Sequence, residues 1–146
     1  MRRLYFRAML RIELMQWEQA RAHATPVRLV VFVEEQRVPA ELEMDEKDAS
    51  CVHAVAFLDD RAVGTGRLLP DAHIGRMAVL KEFRGQGVGG AILRQLMRAA
   101  RERGDREIVL SAQVHAVAFY REHGFEVYGG VYDEAGIPHQ DMRCTL

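Results

Sequence analysis

The sequence has little cysteine, little excess charge and no long apolar run. Its two cysteines, Cys51 and Cys144, stand in a chain of 146 residues, and a chain of that size can bury about 68–70% of its unfolded surface without a disulfide. We therefore expect free thiols in the core of a single domain spanning residues 1–146. No apolar run approaches a membrane span, and Arg2 and Arg3 are not followed by the apolar stretch of a secretory leader. We expect a cytoplasmic protein that does not enter a membrane.

The charges and histidines argue against three further classes of function. The 20 Lys and Arg residues balance 21 Asp and Glu residues, so nothing indicates a nucleic-acid partner. The 6 histidines are scattered, and none forms a His-x-x-x-His pair with an acid at zinc spacing, so we predict no metal site. Ser111 and His115 lack a nucleophile elbow, which argues against a covalent enzyme intermediate.

The most informative stretch, residues 73–103, is predicted to form a strand, a glycine-rich elbow and a helix. A helix N-terminus carries unpaired backbone N–H groups and a partial positive charge, and a pyrophosphate satisfies both. Glycines let phosphates approach this backbone closely, and Arg84 can add a charge-assisted hydrogen bond. The residues predicted to hold the pyrophosphate are Arg84, Gly85, Gln86, Gly87, Val88, Gly89 and Gly90.

Other interpretations of the elbow fit less well. A P-loop requires Gly-Lys-Ser/Thr, which is absent. Gly85, Gly87 and Gly90 match the dinucleotide pattern G-x-G-x-x-G, but that motif opens the first strand–helix unit and places an acid at the end of the next strand. Here the unit is central in the chain, and Glu107 precedes the following strand. A turn without a ligand is the remaining alternative.

Four stretches together resemble the GNAT superfamily of N-acetyltransferases. Met77–Val79 followed by Arg84–Gly89 resembles its acyl-CoA-binding motif, and Phe119–Phe125 resembles its second signature. Val31–Pro39 and Gly136–His139 resemble the ElaA/YjcF-like branch of that superfamily. The resemblance implies an α/β fold, with a mixed, mostly antiparallel sheet splayed at its central strand and helices on both faces.

Local patterns predict where the elements lie. The first strand is placed at Leu4–Leu10, Glu13–His23 is helix-prone, and Thr25-Pro26 suggests the N-cap of a second helix. A further helix is predicted over Val114–His123. The other predicted strands are His53–Leu58, Ala62–Leu69, His73–Leu80, Glu107–Ala112, Phe125–Tyr128 and His139–Leu146.

The resemblance also implies a reaction, the transfer of an acetyl group from acetyl-CoA to a primary amine by direct attack in a ternary complex. Backbone groups of Met77, Ala78 and Val79 would hold the pantetheine arm and polarise the acyl carbonyl. Tyr120, beside Phe119 in the cofactor site, would act as general acid on the departing thiolate with a pKa near 10. The alternative is a non-catalytic acyl-CoA-binding module on the same fold.

The acceptor side is less defined by the sequence. Glu35, His115 and His139 are all candidates for the general base, and His139 can instead shape the acceptor pocket. Seven acidic residues between 33 and 48 stand against Arg37 and Lys47, which indicates either attraction of a cationic amine or a solvated loop. A small amine or a peptide amine is the expected acceptor, and an edge strand leaves room for a homodimer.

Overall fold

The computed structural model describes residues 9–146, and seven strands form one sheet. The strands are β1 (Leu10–Met15), β2 (Val52–Leu58), β3 (Arg61–Leu68), β4 (His73–Val79), β5 (Glu107–Gln113), β6 (Glu126–Glu134) and β7 (Ile137–Thr145). Their order is β1-β2-β3-β4-β5-β7-β6, and β4 and β5 run parallel while the other neighbours are antiparallel. The predicted mixed, mostly antiparallel sheet is confirmed.

Helices cover both faces of this sheet, as predicted. They are α1 (Trp17–Arg28), a π-helical continuation (Leu29–Glu35), α2 (Ala40–Glu43), α3 (Val88–Glu102) and α4 (Val117–Glu122), with 3-10 turns at Glu46–Ser50, Lys81–Phe83 and Val114–Ala116. Successive side chains of a strand point to opposite faces. In β2, Ala54 and Ala56 join the core that contains α3, whereas Val55 and Phe57 pack on the α1 side. No helix within residues 9–146 is long and apolar enough to span a membrane.

The sheet opens between β4 and β5. Their ladder contains only the pairs His73–Val109 and Ile74–Leu110. On its other edge β4 carries an extra residue, because the pairing with β3 steps from Arg67–Gly75 to Thr65–Ala78. Arg76 occupies this bulge with φ of 50°. The predicted splay at the central strand is therefore confirmed, and the bulge lies beside it.

The first strand lies later in the sequence than we predicted. The proposed strand Leu4–Leu10 falls outside the described residues except at its end. The described strand, β1, includes Glu13–Met15, which we had assigned to a helix. Leu10 and Ile12, two residues apart, both pack against the core. This two-residue period outweighs the helical propensity of the residues that follow.

Thr25-Pro26 does not start a second helix. Pro26 lies inside α1, and helical backbone continues to Glu35. The Thr25 hydroxyl is buried, with no hydrogen-bond partner in the described part of the chain, so it caps nothing. The local rule fails because one continuous face is buried against the sheet, formed by Ala20, Ala24, Val27 and Val31.

The remaining boundaries shift slightly. β6 and β7 are longer than predicted and meet in a hairpin whose turn residues, Ala135 and Gly136, have φ of 52° and 77°. The helix predicted from Val114 begins instead as a 3-10 turn. Cys51 and Cys144 are free and buried, as predicted, and burial raises the pKa of each thiol.

Candidate active site

The glycine elbow has a conformation that requires glycine at two positions. Gly85 and Gly87 have φ of 74° and 90°, in the left-handed region that L side chains rarely adopt. Gly87 immediately precedes the first residue of α3, and a Cβ at either glycine would meet no atom within 4 Å. The elbow therefore presents open backbone at a helix N-terminus, which is the arrangement that suits a phosphate.

A groove of about 1500 Å³ runs through the opening between β4 and β5. It brings together most of the residues proposed from sequence, while Glu35 lies outside its lining. Proposed residues in the lining are Met77, Ala78, Val79, Arg84, Gly85, Gln86, Gly87, Val88, Gly89, Gly90, His115, Phe119, Tyr120 and His139.

The edge of β4 turns backbone groups toward this groove. The Leu80 N–H donates to the Val63 carbonyl at 2.9 Å, toward β3. Because strand residues alternate, the N–H and C=O of Val79 point the other way, and its carbonyl accepts a hydrogen bond from Arg84 Nε at 2.9 Å. The Val79 N–H lies beyond the last β4–β5 ladder pair, where a ligand amide or carbonyl can reach it.

Arg84 has a different partner from the one its motif suggested. Its guanidinium holds the Glu35 carboxylate in a fork, with nitrogen–oxygen distances of 2.9 and 2.8 Å. The side chains are 41% and 33% exposed, so the pair contributes only about 0–1 kcal/mol. That Arg84 contacts a pyrophosphate therefore stays a prediction. Glu35, one of the candidates for the general base, is bound by Arg84.

Tyr120 is a buried hydrogen-bond donor at the groove. Its ring meets Phe119 and Phe125 edge to face, with centroid distances of 5.0 and 5.9 Å. Burial raises the pKa of Tyr120 to about 12, above the value near 10 that we assumed. In the described structure its hydroxyl has no hydrogen-bond partner and stays protonated at neutral pH.

A pair of glutamines spans the groove and was not found from the sequence. Gln113 Nε2 donates to Gln36 Oε1 at 2.8 Å, and Gln36 Nε2 donates back to Gln113 Oε1 at 3.3 Å. His115 Nε2 also donates to Gln113 Oε1, at 2.7 Å. The two glutamines are 77 residues apart, and although Gln36 lies in the stretch Val31–Pro39, nothing in the sequence links it to Gln113, so only the fold reveals their contact.

His139 is held in one tautomer. Its Nδ1 lies 2.7 Å from the Ile137 carbonyl oxygen, which can only accept, so Nδ1 carries the proton. In the neutral ring Nε2 then keeps a lone pair, 3.7 Å from Glu134 Oε2. The ring stacks on Tyr132 and its side chain is 12% exposed. A fixed ring whose Nε2 makes no hydrogen bond in the described structure can serve as a general base.

The acidic segment is neither an open attraction for cations nor a fully solvated loop. Glu43 and Asp48 are each 2% exposed, and both pair with Arg28. Arg67 binds Asp48 at 2.9 Å and holds Asp45 in a fork at 2.7 and 2.8 Å. Hydrogen bonds from Arg67 lower the pKa of Asp45 to about 2. Distant arginines thus neutralise the inner carboxylates, while Glu34, Glu41 and Glu46 stay exposed.

Comparisons with known proteins agree with this geometry. The family described as acetyltransferase (GNAT) domain matches residues 20–146. Bacillus subtilis uncharacterized N-acetyltransferase YjcF is 42% identical over 120 residues, covering 80% of this chain and 86% of YjcF. Escherichia coli protein ElaA is 31% identical over 124 residues, covering 80% and 81%.

A solved structure extends the match to three dimensions. The acyl-CoA N-acyltransferase from Pseudomonas aeruginosa superimposes with a TM-score of 0.83 at 30% identity, covering 92% of this chain and 99% of that one. The opened sheet, the glycine elbow and these relatives lead to one conclusion: the chain belongs to the GNAT family of acetyltransferases, with YjcF and ElaA among its relatives.

Proposed function

We propose that this acyltransferase moves an acetyl group from acetyl-CoA to a primary amine by direct attack in a ternary complex. The observation that carries the proposal is the opening of β4 from β5 past Ile74, next to a glycine elbow that begins α3. This arrangement leaves backbone donors at two points of one groove, at the elbow and along β4. A pyrophosphate and an amide-containing arm are the chemistry that fits them.

On this proposal the groove has two sides. The cofactor side comprises Met77–Val79, the elbow 84–90, Phe119 and Tyr120. The elbow backbone binds the pyrophosphate, and the β4 edge binds pantetheine. The Val79 N–H then polarises the acyl carbonyl and stabilises the oxyanion that forms when the amine attacks. The acceptor side comprises residues 35–48, Arg76, Gln113 and His139.

Tyr120 assists the departing sulfur. When the amine nitrogen bonds to the acyl carbon and the carbon–sulfur bond breaks, the sulfur receives a hydrogen bond and finally a proton from the phenol, and the phenolate regains a proton from water. Because the Tyr120 pKa of about 12 lies above that of a thiol, near 8.5, we expect hydrogen bonding to act before proton transfer.

His139 is the base that the geometry favours. Glu35 is bound by Arg84, and His115 uses Nε2 to donate to Gln113. His115 also keeps an acceptor nitrogen, Nδ1, but His115 is exposed, whereas His139 is fixed by a backbone carbonyl and its side chain is only 12% exposed. It takes the proton that the attacking amine loses, directly or through water.

Isothermal titration with acetyl-CoA, CoA and NAD tests the cofactor site. We expect both CoA forms to bind and NAD not to bind. Gly87→Glu should abolish CoA binding, because it places a carboxylate at the phosphate site. Gly104→Glu is the matched control, since Gly104 has a similar φ of 95° and open space but lies just past the other end of α3.

Thiol release with a panel of amines then tests catalysis. Release that depends on an amine supports the transferase. CoA binding without release from any amine would favour the non-catalytic binding module, and no CoA binding would refute the proposal.

A further inference from the structure

Arg76 is a strained cation on the acceptor side of the groove. It occupies the β4 bulge with φ of 50°, a left-handed conformation that is unfavourable for a residue other than glycine. Its neighbour Gly75 has ordinary φ and open space around it. The conformation directs the Arg76 side chain to the groove wall, where it is 29% exposed. Strain of this kind is often retained at binding sites.

Two nitrogens of the Arg76 guanidinium are fixed by hydrogen bonds, and the third, Nη1, is available. Nε donates to the Glu43 carbonyl at 3.2 Å, and Nη2 donates to the Leu42 carbonyl and to Asp45 Oδ2, both at 3.2 Å. Nη1 makes no hydrogen bond to any residue of the described chain. Arg76 is thus oriented by the loop, with two N–H donors left for a ligand.

The charge of Arg76 is compensated less than that of its neighbours. Arg67 approaches Asp45 at 2.7 Å and also holds Asp48. Arg76 shares Asp45 with Arg67 and lies farther from it, at 3.2 Å, and its other carboxylate, Glu43, is 3.8 Å away. Burial and the positive charge of Arg67 accordingly lower the Arg76 pKa. An anion at this position would relieve the repulsion.

The acceptor side offers little to an ammonium group, because its inner carboxylates are already paired and the exposed Glu41 and Glu46 lie outside the groove lining. Glu134 is different, but it lies at the rim, 62% exposed and near His139. The paired carboxylates and their partners are Glu35 with Arg84, Glu43 with Arg28, Asp45 with Arg67, and Asp71 with His73.

We propose that the acceptor is a small amine that also carries a carboxylate, and that Nη1 of Arg76 donates to this carboxylate. The inference rests on the proposed function. Arg76 and Val79 are three residues apart, at most about 10 Å along a strand, so one small molecule can reach both positions. An amino-acid-like acceptor meets this description, whereas a polyamine does not.

Thiol release tests this with a set of amino acids, each compared with its carboxamide, and with spermidine, at saturating acetyl-CoA. For the best acid we expect kcat/KM at least roughly 10-fold above that of its carboxamide, as befits a charge-assisted pair. Arg76→Gln should remove this preference mainly by raising KM. Arg76→Lys should retain part of it, because the charge remains but the oriented Nη1 donors are lost.

Lys81→Gln is the control for a general field effect, since Lys81 is an exposed cation close to β4 but outside the groove lining, and its acid preference should stay within about twofold of the wild type. Carboxamides or spermidine reacting as well as acids, or an Arg76→Gln variant that binds CoA and keeps the preference, would overturn the inference while leaving the transferase intact. Failure of the proposed function differs, because CoA would then not bind or no amine would release thiol.

Discussion

The two sides of the groove are built by opposite means. The cofactor side relies on the backbone, where Gly85 and Gly87 expose a helix N-terminus and β4 turns Val79 toward the opening. The acceptor side relies on side chains that meet from far apart, such as Arg28 with Glu43 and Gln36 with Gln113. Backbone geometry suits a constant ligand, whereas side-chain geometry can change with the acceptor. The predictions below test this contrast.

Removing a buried cation from the acceptor side should have the largest effect. Arg28→Met leaves Glu43 and Asp48 without their shared partner at 2% exposure, and we expect a loss of about 3–5 kcal/mol in the free energy of unfolding. Urea denaturation measures it. Arg98→Met is the control, because its exposed pair with Glu102 is worth about 0.3–0.5 kcal/mol. Equal losses for the two variants would show that the buried network does not support this side.

The same contrast decides how much could be predicted from the sequence. Most of the cofactor side lies within residues 77–90, and its requirement for left-handed glycines is local, so the pattern 84–90 led to the elbow at the start of α3. The acceptor side joins residues separated by up to 77 positions. Composition identified the acidic segment, yet nothing local indicated that Arg28, Arg67 and Arg76 would neutralise it.

The wrong predictions about the fold also arose where distant contacts outweigh a local pattern. Thr25-Pro26 satisfies the local rules for a helix start, but the buried face of α1 continues through it to Glu35. Tertiary packing outweighs a local preference of about 1 kcal/mol. The splay itself followed from the family resemblance, and in the structure the extra residue at Arg76 lies beside it.

On the cofactor side, the largest effect on rate is expected for Tyr120. Tyr120→Phe removes the donor to the departing sulfur, and we expect kcat to fall about 100-fold, roughly 2.7 kcal/mol in the barrier. CoA affinity and stability should change little, because the hydroxyl has no partner in the described structure. Tyr128→Phe, at a half-buried sheet position outside the groove lining, should keep full activity. Wild-type kcat in Tyr120→Phe would exclude the tyrosine from the reaction.

Acid should weaken the acceptor side through Asp45. Its pKa is lowered from 3.8 to about 2 in the folded protein, so its contribution is complete above pH 4 and is lost as the pH falls toward 2. This shift corresponds to roughly 2 kcal/mol. Urea denaturation between pH 7 and pH 2 should show a smaller acid-dependent loss for Asp45→Asn than for the wild type. Parallel curves would mean that Asp45 does not contribute to the acid sensitivity.

The smallest effect concerns the ion pair of Glu35 with Arg84, which joins the acceptor side of the groove to its cofactor side. If the Arg84 fork contacts the pyrophosphate, Glu35 competes for it, and Glu35→Gln should tighten CoA binding by about two- to fivefold, the limit set by an exposed pair. If Arg84 only anchors the elbow, the same variant should bind CoA more weakly. Isothermal titration of CoA into the wild type and Glu35→Gln distinguishes the two cases. Glu82→Gln is the control, because Glu82 pairs with Arg61. A 100-fold fall in kcat for Glu35→Gln would instead indicate that Glu35, and not His139, is the general base.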